Sequence, residues 1–182
     1  MVDMELTAAA TAFLNEEAAL LDDHLLDGWL GLLCNDVRYV MPSTAIMPAE
    51  AADARERRNA LRWGSFGDDD RDMHFWLYDE DYSSLNMRVR RLDTGMAHAE
   101  LPESMTNHVV SNVIAGQDPL DSELIRVRSK FMVHVVRHES NENTFVGSRW
   151  DKLRRTDDGL RLAWRYIELA HPVLPRTISI FF

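Results

Sequence analysis

The chain has 182 residues, is 46% hydrophobic and carries a net charge of −10, so its length predicts a single domain over 1–182 with a sizeable core. The acidity disfavours binding to a phosphate backbone, which rests on Lys and Arg neutralisation. No run approaches the roughly 20 apolar residues of a membrane span, the acidic start Met1-Val2-Asp3-Met4-Glu5 lacks a signal peptide's basic region, and a lone Cys34 supplies no disulfide framework; a cytoplasmic protein without membrane or nucleic-acid partners is expected.

Residues 6–25 read as a helix, because Leu6, Ala10, Phe13, Leu14, Leu20 and Leu21 fall at helical spacings and form one stripe. A second short helix is expected from Asp27, with Trp29, Leu30 and Leu33 inward. Asn35-Asp36 signals a turn, and Val37 to Met41 a strand that Pro42 stops. Residues 43–75 show no clean period and read as a long excursion; the stretch Ala49 to Arg62 is compatible with a helix of thin apolar face, and Asp68 to Asp72 with a solvated loop.

Periodicity returns at Asp79, the expected N-cap of a helix in which Tyr82, Leu85, Val89 and Leu92 face inward and which stops before Gly95. After Pro102 the pattern is that of strands. Thr106 to Ile114 is one; Ile125, Val127, Phe131, Val133 and Val135 mark one face of another, opposite Arg126, Arg128, Lys130 and His134. Phe145 to Arg155 and Leu160 to Leu169 form a hairpin around Thr156-Asp157-Asp158-Gly159, and the tail Thr177 to Phe182 reads as a short apolar strand. Helices first and hairpin-linked strands later predict an α+β fold, with N-terminal helices packed on a mostly antiparallel sheet.

Three blocks resemble the small (beta) subunits of bacterial aromatic-ring-hydroxylating dioxygenases. They are Phe13 to Pro42 (FLNEEAALLDDHLLDGWLGLLCNDVRYVMP), Tyr78 to Val113 with Leu85-Asn86-Met87-Arg88-Val89-Arg90-Arg91-Leu92 at its centre, and Phe145 to Leu169 (FVGSRWDKLRRTDDGLRLAWRYIEL) followed by Phe181-Phe182. Two positions depart from the family pattern: Met105 in Ser104-Met105-Thr106 replaces a usual Arg, and Ala170 after Leu169 replaces a common Asp.

The resemblance implies a cone-shaped fold of the nuclear-transport-factor-2-like (cystatin-like) type with a long, curved sheet. It also implies a non-catalytic, structural role within an assembly of three alpha and three beta chains in aromatic-compound catabolism. The alpha subunit would carry the Rieske [2Fe-2S] cluster and mononuclear Fe(II), with electrons from NAD(P)H passed through a reductase and a ferredoxin. On this reading the present chain holds no catalytic, cofactor or metal residue, and is inactive when isolated.

The residues themselves agree in one respect: a Rieske cluster needs two cysteines and two histidines, and this chain has one cysteine. His134 and His138 look like an i, i+4 metal pair, but on a strand they lie about 13 Å apart. The other histidines, at 24, 74, 98, 108 and 171, are scattered. Trp63 and Trp76 flank the excursion and are candidates for partner contact, whereas Trp29 and Trp164 sit on apolar faces. Arg88 and Arg91, with Arg90 and near Asp93 and Glu100, are read as makers of structural or interfacial ion pairs, and Phe181 and Phe182 as fastening elements in the core or at an interface.

A second reading starts from Asp22 and His108. Cone folds in isomerases and dehydratases place an acid and a histidine in the cavity between helix and sheet, where burial tunes them for general acid–base work. A stand-alone small-molecule enzyme is therefore the alternative, and a dimerising scaffold or transport adaptor a third. Cavity filling discriminates: Phe13, Leu85, Trp164 and Tyr166 should plug the cone of a structural subunit.

Overall fold

The computed structural model describes residues 2–43, 54–64, 76–93, 104–137, 141–170 and 180–182. His74, His98, His138, His171, Glu100, Asp68 to Asp72 and Thr177 to Ser179 lie outside the described residues.

Helix α1 (Met4–Asp22) begins where the Asp3 carboxylate accepts the backbone N–H groups of Glu5 and Leu6 at 3.0 and 3.1 Å. Its inner stripe is Ala10, Phe13, Leu14, Glu17 and Leu21. The helix stops three residues earlier than the sequence pattern suggests because His24 turns into the left-handed region at φ 54°. That turn sends the Leu25 N–H back to the Leu20 carbonyl at 2.8 Å. The short α2 (Leu26–Gly31) buries Leu26, Trp29 and Leu30.

Among the described residues six strands follow: β1 (Leu33–Pro42), β2 (Trp76–Asp81), β3 (Met105–Gln117), β4 (Leu124–Arg137), β5 (Asn141–Thr156) and β6 (Gly159–Leu169). They form one sheet in the order β2-β1-β6-β5-β4-β3, antiparallel except for the parallel pair β1 and β6. Helices α3 (Ala54–Arg62) and α4 (Tyr82–Asp93) complete the elements of the described residues. The sheet curves where its register slips, at Ser111/Ile114 in β3, with Asn112 at φ 53°, and at Lys152/Leu153 in β5. The expected α+β architecture with a mostly antiparallel sheet is present.

The core lies between one face of the sheet and α1, α2 and α4. Strand β4 supplies Ile125, Val127, Phe131, Val133 and Val135 to it, all 8% exposed or less. The opposite face carries a second, smaller cluster of Val40, Leu61, Trp150 and Tyr166, packed beneath α3 with Trp63, Trp76 and Trp164. Trp164 and Tyr166 therefore do not plug the cone, as the sequence reading had them do; they belong to the outer face, in line with Trp150 across β5 and β6. Phe13 and Leu85 are in the core as expected.

Two further expectations need correction. Asn35-Asp36 is not a turn; it lies within β1, at the slip between Leu33 and Arg38 in the pairing with β6. Asp79 is not the cap of α4 but part of β2, where it pairs with Val40. The cap is Asp81, whose carboxylate accepts the Ser84 N–H at 2.8 Å while the Ser84 hydroxyl accepts the Asp81 N–H at 2.9 Å, a reciprocal capping box.

Gly147 marks the tightest point of the sheet. A Cβ there would stand 2.5 Å from the Glu168 carbonyl oxygen and 2.6 Å from Phe131 Cζ. The ring tip can shift, but the neighbouring strand's backbone cannot. Gly147→Ala should cost about 1–3 kcal/mol, the usual range for overpacking, measured by urea unfolding; unchanged stability would show that β6 yields at this point.

Candidate functional site: the interior of the cone

The concave side of the sheet holds a buried ionic group that no spacing motif announces. Glu17 comes from α1, Arg149 and Asp151 from β5, and Arg165 from β6; each is at most 2% exposed. Arg165 is its centre. The guanidinium donates to Asp151 through Nε and Nη2, at 2.9 and 3.0 Å, and to Glu17 through Nη1 and Nη2, at 2.7 and 2.8 Å. Trp29 Nε1 adds a donor to Glu17 at 3.2 Å, and Arg149 another at 3.3 Å.

Two carboxylates thus face two guanidiniums. Burial works against the charged Glu17 carboxyl, but Arg165 and Arg149 outweigh it and hold its pKa below the ordinary range. Burial also opposes the charge on Arg165, and Asp151 and Glu17 more than reverse that, so its pKa is raised. Arg149 is the strained member. Burial and then repulsion from Arg165 lower its pKa, and its Nε and Nη2 have no hydrogen-bond partner.

The segment Ile180–Phe182 enters this interior. The Phe181 ring lies 4.3 Å from Trp29 and beneath the Arg88 guanidinium at 4.4 Å; the Phe182 ring sits between Phe131 and Phe145, at 5.5 and 5.6 Å. Both phenylalanines are in this chain's own core, 4% and 0% exposed. Nor do the described tail residues add a strand to the sheet. Side chains satisfy their backbone instead: Tyr39 Oη accepts the Phe182 N–H at 2.7 Å and donates to the Phe182 carbonyl at 3.0 Å.

Asp22 and His108 are brought together, as the acid–base alternative requires. His108 Nδ1 contacts Asp22 Oδ1, which also accepts the Thr106 hydroxyl at 3.0 Å, while Asp22 Oδ2 accepts the His108 backbone N–H at 2.8 Å. His108 Nε2, however, faces the Phe181 carbonyl at 3.1 Å, and the His108 side chain is 5% exposed. The nitrogen that would serve a substrate is occupied by the protein's own backbone.

The remaining sequence candidates are dispersed. Arg88 pairs with Glu80 and is 14% exposed; Arg90 pairs with Asp27 at 2.9 Å; Arg91 is on the exposed side of α4. Trp63 and Trp76 are half-buried on the outer face, Trp63 beneath Arg126 at 4.8 Å. His134 bonds the Thr144 hydroxyl at 2.9 Å.

Among the described residues no three His, Cys, Asp or Glu groups converge as metal ligands do. Cys34 is buried and its thiol is pushed up by burial, the wrong state for a ligand thiolate. With one cysteine in the sequence, held in that state, the described residues do not fit a Rieske cluster.

The family model for the ring hydroxylating beta subunit matches residues 16–176. The chain belongs to that family. A chain of naphthalene 1,2-dioxygenase, solved with indole bound in the active site, is 25% identical, with a TM-score of 0.82 over 100% of this chain and 88% of that one. The beta subunit of benzoate 1,2-dioxygenase from Burkholderia mallei is 21% identical, with a TM-score of 0.62 over 93% and 91%. The ActVI-ORFA protein of Streptomyces coelicolor shares the fold at 15% identity, with a TM-score of 0.59 over 92% and 99%. The fold is thus that of the nuclear-transport-factor-2-like beta subunits, and no helix among the described residues is long and apolar enough to cross a membrane.

Removing Arg165 takes from buried Asp151 the guanidinium that pairs it and leaves Glu17 with Arg149 and Trp29. Arg165→Leu should lower stability by about 3–5 kcal/mol, the usual cost of breaking a buried pair from one side, read from urea unfolding. The depressed pKa of Glu17 also has a consequence with a sign. Its contribution is complete above the unfolded value of about 4.3 and declines as pH falls toward the folded one. Stability measured against pH should fall below that point in the parent and fall less in Glu17→Gln; equal slopes would exclude Glu17 as a source of the acid sensitivity.

Proposed function

We propose that this chain is the structural, non-catalytic beta subunit of an aromatic-ring-hydroxylating dioxygenase in the cytoplasmic catabolism of an aromatic compound. It supports an alpha subunit that holds the Rieske [2Fe-2S] cluster and mononuclear Fe(II), in an assembly of three chains of each kind. Electrons reach alpha from NAD(P)H by way of a reductase and a ferredoxin. One observation carries the assignment of a structural role. The place where related cones could hold a substrate is filled by Phe181 and Phe182, and the Asp22–His108 pair is closed by the Phe181 carbonyl. Contact with alpha is assigned to the outer side, where Trp63 lies beneath Arg126 and Trp76 packs in the same cluster, and to Arg91.

The test has two arms. The purified chain should hold no stoichiometric iron and show no oxygenase activity, while co-expression with an alpha chain bearing Cys-x-His and Cys-x-x-His motifs should give an active complex. Within that complex, Asp22→Asn and His108→Gln should each leave turnover within about tenfold of the parent, although each removes a hydrogen bond worth roughly 1 kcal/mol. Loss of turnover by orders of magnitude, in a complex that still assembles with its metals, would instead give this pair a chemical role.

A further inference from the structure

The Ile180–Phe182 segment is held in a way that differs from ordinary core packing. Three successive backbone oxygens are each taken by a nitrogen donor from a different element. Arg88 on α4 takes Ile180 at 3.2 Å, His108 on β3 takes Phe181 at 3.1 Å, and Arg165 on β6 takes Phe182 at 2.7 Å. Each donor also has a carboxylate of its own in the body of the fold: Glu80 for Arg88, Asp22 for His108, and Glu17 with Asp151 for Arg165. These carboxylates belong to α1, β2 and β5, so the ion pairs that orient the donors include no residue of the segment. Two ring sites complete the arrangement, one between Trp29 and Arg88 and the other between Phe131 and Phe145.

We propose that the cone interior is a preorganised peptide-binding site, specific for an aliphatic–aromatic–aromatic segment read through its backbone oxygens, and that Ile180–Phe182 is its ligand in cis. A receptor whose donors are already fixed loses little freedom on binding, so the same segment supplied in trans should occupy it. The site is distinct from the partner surface of the proposed subunit role, and its existence does not depend on that role.

A chain ending at Ser179 provides the test, with acetyl-Ile-Phe-Phe as probe and acetyl-Ile-Ala-Ala as control. The shortened chain should show a saturable rise in melting temperature with the aromatic tripeptide and none with the control. Replacing Arg88 by Met in the shortened chain should weaken tripeptide binding at least about tenfold, the effect of losing roughly 1.4 kcal/mol. If the shortened chain fails to fold alone, the aromatic tripeptide should restore its circular dichroism and the control should not. No rescue in either setting, or equal rescue by both peptides, overturns the proposal. In the intact chain, Arg88→Met should raise hydrogen exchange at the Phe181 and Phe182 amides at least about tenfold relative to those of β4; unchanged relative exchange would also overturn it.

Discussion

A guanidinium with no access to solvent sits at the middle of the concave face, and the arrangement around it follows from keeping it charged. Arg165 is 0% exposed, and burying such a cation unpaired would cost several kcal/mol after relaxation. Glu17 reaches it from α1 and Asp151 from the adjacent strand, so the first helix is tied to the centre of the sheet by charge as well as by its apolar stripe. The compensation is uneven. Arg149, directly across from Ser129 on β4, leaves Nε and Nη2 without partners, and the Ser129 hydroxyl is buried and unpartnered too. A buried network satisfied at its centre and open at one margin gains geometric definition more than net stability.

The apolar frame was legible from period alone. The alternation of β4 and the stripe of α1 each give a face directly, because residues of one kind recur at the repeat of the element. Strand β2 was not legible, since Asp79-Glu80-Asp81 carries none of the β-branched residues that mark a strand, and the last of these acids caps the helix that follows. A charged edge strand also resists pairing with other chains, which favours the composition that conceals it. The central ionic group is not legible in the sequence for another reason. On β5, Arg149 and Asp151 share a face with Phe145 and Gly147, and Arg165 shares one with Ile167 and Leu169. Counting by two places all three inward, but polar residues in a strand invite assignment to solvent.

Asp22 and His108 show how one geometry can be reached for different ends. The pair was found from sequence and is real, yet its neighbours give it a structural task. β3 is the last strand of the sheet, and α1 runs along its open side. The Asp3 N–H bonds the Ala115 carbonyl at 3.0 Å, the Ala115 N–H bonds the Thr7 hydroxyl at 3.1 Å, and the His108 N–H bonds Asp22. Helix side chains and backbone thereby satisfy backbone groups that would otherwise be free to pair with another strand. The carboxylate that looks like the orienting member of a catalytic pair is also the cap of a sheet edge.

Both features bear on how the interior between helices and sheet stays ordered. Filling it by apolar side chains of the sheet alone would replace Arg149, Asp151 and Arg165, and the helix would then rest on shape complementarity only. Here the sheet keeps polar groups at its centre and the fill comes from a segment distant in sequence, whose backbone supplies the acceptors those groups need. Tyr39 shows the economy of this. Its hydroxyl is buried, which pushes its pKa up and keeps it protonated, so it can both donate to and accept from Phe182. A hydroxyl in that position with no segment beside it would be a buried group lacking partners, at a cost of about 1–3 kcal/mol. The polar interior and the aromatic segment are therefore two halves of one solution, each of which would destabilise the fold without the other.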